Sequence, residues 1–111
     1  MLAIFLGESK PITIMVSNAN RQPVNLFNYD KITAILIVNK QIVATYSIPN
    51  EDNSLVIDAD NPAQMTFLLS DQITAAQIPD SKAMIQVKCE AENLKLIQIT
   101  EEILQFKAAY E

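Results

Sequence analysis

From Lys10 to Ser17 the chain alternates, with Ile12, Ile14 and Val16 on one side and Thr13, Met15 and Ser17 on the other. A period of two is that of a β-strand with one buried face. The same rhythm returns in Gln64 to Leu69, where Met65, Phe67 and Leu69 share a side. It returns again in Ala83 to Ala91, where Ala83, Ile85, Val87 and Cys89 face in and Met84, Gln86, Lys88 and Glu90 face out. Ile32 to Val38 is apolar on both faces, which predicts a central strand. The residue types agree: isoleucine occurs 15 times, and valine and threonine six times each. Their branched Cβ atoms are stiff and pack well on a pleated surface.

The shorter segments fit between these. Leu2 to Leu6 reads as a first strand or lead-in, broken at Gly7, Glu8 and Ser9. Val24, Leu26 and Phe27 form an apolar step in a connecting loop. Asn39-Lys40 predicts a two-residue hairpin turn, from which Gln41 to Ile48 returns as the partner strand. Asn50 to Ser54 is a polar loop and Leu55 to Ile57 a short strand. Ser70 to Ile78 alone has helical character, with Ser70 as N-cap and Asp71 in the first turn. Glu92-Asn93 predicts a second hairpin, and Leu94 to Thr100 and Ile103 to Lys107 are closing strands bent at Glu101-Glu102. Glycine occurs once, at Gly7, so turns needing positive φ are expected at Asn or Asp, with Asn18, Asn39, Asn50, Asn53, Asn61 and Asn93 in predicted turns. The sum is about seven or eight short strands with regular turn signals, in an all-β sandwich of one domain over residues 1–111. No βαβ alternation argues for a parallel sheet.

The functional classes narrow by chemistry. The 111 residues contain no histidine, one cysteine and no tryptophan. That excludes histidine-dependent triads, most zinc sites and any disulfide within the chain. One glycine cannot build a phosphate cradle. Eight basic residues against 13 acidic ones, net −5, are scattered with no two adjacent. This lacks the positive footprint of a nucleic-acid binder and of an anionic membrane surface. No apolar run reaches the roughly 20 residues of a membrane span. Met1 to Leu6 lacks the basic start of a signal peptide, so the chain is expected to be made without export.

Asp58 and Asp60 flank Ala59 and precede Asn61, as oxygen ligands begin a calcium loop, but no later glycine or bidentate Glu follows. A solvated turn is the simpler reading. Cys89 reads as a small buried apolar residue. The pairs Glu51-Asp52, Glu90 with Glu92 and Glu101-Glu102 read as solvated edges. No catalytic, cofactor-binding or metal-ligating residue is expected. The charged fraction is only 19%, below the typical quarter, which fits either surface covered by another subunit or polarity supplied by Asn, Gln, Ser and Thr instead. Tyr46, mid-strand, is expected to be a buried ring with its hydroxyl at the rim. Four aromatics are the candidate partner contacts: Phe27 and Tyr29 in a loop, and Phe106 and Tyr110 in a C-terminal strand or protruding tail of the strand-addition type.

The order of features resembles a known family. Ile12-Thr13-Ile14-Met15-Val16 is followed by a polar turn, then Gln22-Pro23-Val24-Asn25-Leu26, then a strand opening at Ile32. Met65 to Leu69 runs into Ser70 to Ala76, a Pro79-Asp80 turn and the strand Ala83 to Cys89. This is similar to the N-terminal immunoglobulin-like domain of the baseplate upper proteins of tailed phages and to related small virion modules. In that family the corner after the short helical turn usually carries glycine, where this chain has Asp80. The resemblance implies an immunoglobulin-like antiparallel β-sandwich with one short helical turn near residues 70–78. It also implies a non-enzymatic structural role in a phage tail or baseplate. The expected partners are other virion proteins and further copies of the chain, and the expected location is the virion. A stand-alone bacterial module binding carbohydrate or peptide is the alternative.

Overall fold

The computed structural model describes residues 2–48, 55–99 and 104–108. Nine strands lie among them: β1 (Leu2–Phe5), β2 (Lys10–Met15), β3 (Lys31–Val38), β4 (Gln41–Ile48), β5 (Leu55–Ile57), β6 (Gln64–Leu69), β7 (Lys82–Ala91), β8 (Leu94–Ile99) and β9 (Leu104–Lys107). Each falls on a segment read as a strand from the sequence, and the total is slightly above the expected seven or eight. β8 pairs with the C-terminal half of β7, and β9 with its first residues.

Six strands form one sheet in the order β1-β9-β7-β3-β4, with β8 also on β7, and β2-β6-β5 form the other. The two layers make an all-β, immunoglobulin-like sandwich. All pairings are antiparallel except β1 with β9, where Leu2 to Phe5 run alongside Leu104 to Lys107. The sequence argued against a parallel sheet because no crossover unit is present. That rule concerns strands close in the chain, and β1 and β9 are separated by nearly the whole domain, so no tight connection is needed.

The alternation sets the core. Ile12, Ile14, Met65, Phe67 and Leu69 from the smaller sheet meet Ile32, Ala34, Leu36, Ala83, Ile85, Val87 and Cys89 from the larger. As expected, β3 is central, paired to β4 on one side and β7 on the other. Tyr46 of β4 crosses to the other layer and stacks on Phe67, with ring centroids 4.4 Å apart and planes at 26°. Its hydroxyl is not at the rim as expected. It is buried and has no hydrogen-bond partner among the described residues.

The one helix, α1 (Asp71–Ala75), begins at Ser70, whose Oγ accepts from Ile73 N at 3.4 Å. Thr74 anchors it. The Thr74 hydroxyl accepts from Gly7 N at 3.1 Å and lies 2.9 Å from the Glu8 carbonyl and 3.1 Å from that of Asp71, to which it donates. Ser9 Oγ accepts from Asp71 N at 3.1 Å, so the Gly7–Ser9 break is tied to α1 from both ends.

Positive φ falls on Gly7, Arg21, Asn39, Lys40 and Asp80. Asn39 meets the expectation for asparagine, but Asn18 and Asn61 do not. They stabilise turns through their side chains instead: Asn18 Oδ1 accepts from Asn20 N and Gln22 N at 2.9 and 3.0 Å. Asn61 Oδ1 accepts from Ala63 N at 3.4 Å. The left-handed position of that first turn falls to Arg21. The expected loop at Asn50 to Ser54, including Glu51-Asp52 and Asn53, the bend at Glu101-Glu102, and Tyr110 lie outside the described residues.

Candidate functional site

The loop after β2 is built outward from Leu26. Its side chain is fully buried in the core, and its amide donates to the Pro62 carbonyl at 2.9 Å. Asn25 caps the single 3-10 turn at Leu26–Asn28, its Oδ1 accepting from Phe27 N at 3.0 Å. With Leu26 pointing inward, the turn directs the next ring outward: Phe27 is 59% exposed. Tyr29 is half-buried and packs on the rim of the core. Beside these rings lie Ile48 and β5, whose alternation buries Leu55 and leaves Val56 exposed. Together they border an apolar hollow of about 290 Å³ lined also by Leu26, Ile32 and Ile57.

The structure therefore joins two of the four sequence candidates, Phe27 and Tyr29. It separates the third. Phe106 lies in β9 and is fully buried in the core. Its amide donates to the Ser81 carbonyl at 2.9 Å, and its carbonyl accepts from Asp80 N at 2.7 Å. The expectation of a partner contact at Phe106 is thus corrected. The period of two in β9 turns Leu104 and Phe106 toward the core and half-buries Gln105 and Lys107. Phe106 also sits beside the start of β7, where β9 pairs with Lys82 and Ala83, while the chain after the Phe27 turn meets the far end of β7 through Asp30 N and the Glu90 carbonyl. Tyr110, the fourth, is outside the described residues. Val56 and Ile48 were not legible as partners of Phe27, because β5 is three residues long and reaches the loop only through the fold.

Asp58 and Asp60 form an ordinary turn. Asp58 Oδ1 accepts from Asp60 N at 2.9 Å, and Asp58 N donates to the Gln64 carbonyl at 2.9 Å. No cluster of three or more His, Cys, Asp or Glu side chains stands where it could hold a metal among the described residues. Cys89 is fully buried, and loss of solvent pushes its thiol up to about 11. The protonated thiol is a poor nucleophile.

No helix among the described residues is long and apolar enough to cross a membrane. No family model matches the chain, and no curated protein matches it. Among solved structures, Drosophila OTK, extracellular domains 3-5, is similar at 11% identity and a TM-score of 0.37. The likeness covers all of this chain and 33% of that one, so the chain spans about a third of that structure.

Proposed function

We propose that this chain is a non-enzymatic structural protein of a phage tail or baseplate, an assembly or adaptor module that works through protein–protein contacts within the virion. The observation that carries the reading is the apolar cluster of exposed Phe27 and Val56 with half-buried Tyr29 around its hollow. Aromatic rings held rigidly by a capped turn lose little entropy on docking and are typical anchors of protein contacts. The low charge of the chain and its resemblance to baseplate modules point the same way.

The test is copurification. Phage particles are expected to carry the chain through density-gradient purification, and Phe27→Ser is expected to strip it from them while the purified variant stays folded. Particles that lack the wild-type chain would remove the reading. The hollow also favours a second reading, capture of a short peptide. There, binding of a peptide library to the purified chain should be lost in Tyr29→Ala.

A further inference from the structure

The hollow beside Phe27 differs in chemistry between its inside and its rim. Inside, the lining side chains are aliphatic and aromatic throughout, and the Tyr29 hydroxyl is the one polar group they carry. The volume of about 290 Å³ falls at the bottom of the range of small-molecule pockets, which begins at roughly 300 Å³. That suits one large apolar side chain carried on a longer segment better than a whole ligand. At the rim, the charge is acidic. Asp30 follows Tyr29 and Asp58 follows Ile57, so each stands next in the chain to a lining residue. The turn carrying Asp58 and Asp60 is drawn against the Phe27 turn by the bond from Leu26 N to the Pro62 carbonyl at 2.9 Å. None of the three carboxylates is in an ion pair among the described residues. Lys31 and Lys88 stand at the same end of the larger sheet but on its outer face. There Lys31 lies opposite Glu90, and Lys88 is 3.3 Å from Glu90.

We infer that the hollow receives one large apolar side chain from a basic segment of a partner protein, with lysine or arginine beside that anchor meeting Asp30, Asp58 and Asp60. This rests on the reading of the Phe27 cluster as a protein contact and adds the chemistry of the partner. The buried anchor supplies most of the affinity, because contact energy concentrates in a few well-packed side chains. The acidic rim acts on the rate of encounter and on the choice of partner, since complementary charge steers and like charge rejects. A second copy is a poor occupant for the same reason. Each copy carries a net −5, so docking one on another would bring acid to acid.

Fluorescence anisotropy of short labelled peptides, titrated with the full chain, tests this. One peptide carries a central Phe-Leu pair between lysine flanks, and a second has glutamate flanks instead. A third keeps the lysines and replaces Phe-Leu with Ser-Ser. At low salt the first should bind at least about tenfold tighter than either of the others, and its lead over the glutamate peptide should shrink as salt is added. Asp30→Lys combined with Asp60→Lys should reverse the preference between lysine and glutamate flanks. Glu8→Lys should leave it unchanged, because Glu8 precedes β2, which starts beside Leu69, while Asp58 is bonded to Gln64 at the other end of β6. Circular dichroism checks that each variant folds. Should the double variant not fold, the salt dependence of the wild type and the Ser-Ser peptide decide. Failure of the lysine peptide to bind overturns the inference, as do equal binding of lysine and glutamate flanks, no loss with Ser-Ser, or a preference that survives the double variant. A wild type that sediments as two copies while Phe27→Ser sediments as one also overturns it, by making a second copy the occupant. Any of these leaves the assembly reading standing if purified particles carry the chain, and absence from particles is the separate result that removes that reading.

Discussion

Two weak acids lie inside the sandwich, the Cys89 thiol and the Tyr46 phenol, and burial raises both above their ordinary values. Each is neutral when protonated, and burial favours the neutral form. The folded chain therefore keeps its protons at a pH where the unfolded chain has released them. For Cys89 the stabilisation is fully present below the ordinary value of 9.0 and is lost as pH rises toward the folded value of about 11. At its limit this loss is about 2 to 3 kcal/mol. Urea titrations at pH 8 and pH 11 should show it, and Cys89→Ala should flatten the slope between them. Tyr46 gives a sharper expectation at neutral pH. Its hydroxyl is buried without a described partner, while the ring is held by Phe67. Tyr46→Phe removes the unpaired group and keeps the ring, so the unfolding free energy from urea titration should stay level or rise by as much as about 1 kcal/mol. Burial of Cys89 was legible from strand period, and that of the Tyr46 ring from its mid-strand position. The fate of the Tyr46 hydroxyl was not, because it depends on which groups the opposite sheet brings to it.

Among the elements, the turns show where sequence reasoning stops. The Asn39-Lys40 hairpin was legible from two flanking β-rich runs and an asparagine. Its second residue was not expected to take positive φ, yet Lys40 has φ 65° beside Asn39 at 52°. The geometry is that of the primed two-residue turn, whose twist matches that of the strands it joins. Glycine would fit Lys40's position without strain, so Lys40→Gly should raise stability by roughly 0.5 to 1 kcal/mol in a thermal melt. Helix α1 was legible from Ser70 and Asp71. What holds it to the sandwich was not, since Thr74 reaches Gly7 and Glu8 some 66 residues back in the chain. Thr74→Val keeps the shape but removes the partner of the Gly7 amide and the Glu8 carbonyl, which lie in partly buried bonds. It should cost about 0.5 to 1.5 kcal/mol, with faster hydrogen exchange at the Gly7 amide as its local signature.

At the scale of the molecule, the parallel pair β1–β9 joins the two ends of the described chain. Ile4 lies opposite Phe106, both fully buried, and Leu6 N extends the pair to the Lys107 carbonyl at 2.9 Å. The two-layer architecture was legible because β2, β6 and β7 each announce one buried face and β3 reads as central. This closure was not, because four-residue strands carry too little pattern to show which edge they join. The same shortness made Phe106 look like a docking ring, when its place in β9 makes it part of the core. Shared burial predicts coupling. Ile4→Val alone should cost about 0.5 to 1.5 kcal/mol, and Phe106→Leu should also destabilise by trimming the ring from a filled site. Once Phe106 has shrunk, its neighbours gain room and the methyl lost from Ile4 matters less. The double variant should therefore be more stable than the sum of the single losses implies, by about 0.5 kcal/mol or more, as expected for residues in contact. Denaturant titration of the four chains measures that difference, and strict additivity would mean that the two ends are stabilised independently of each other.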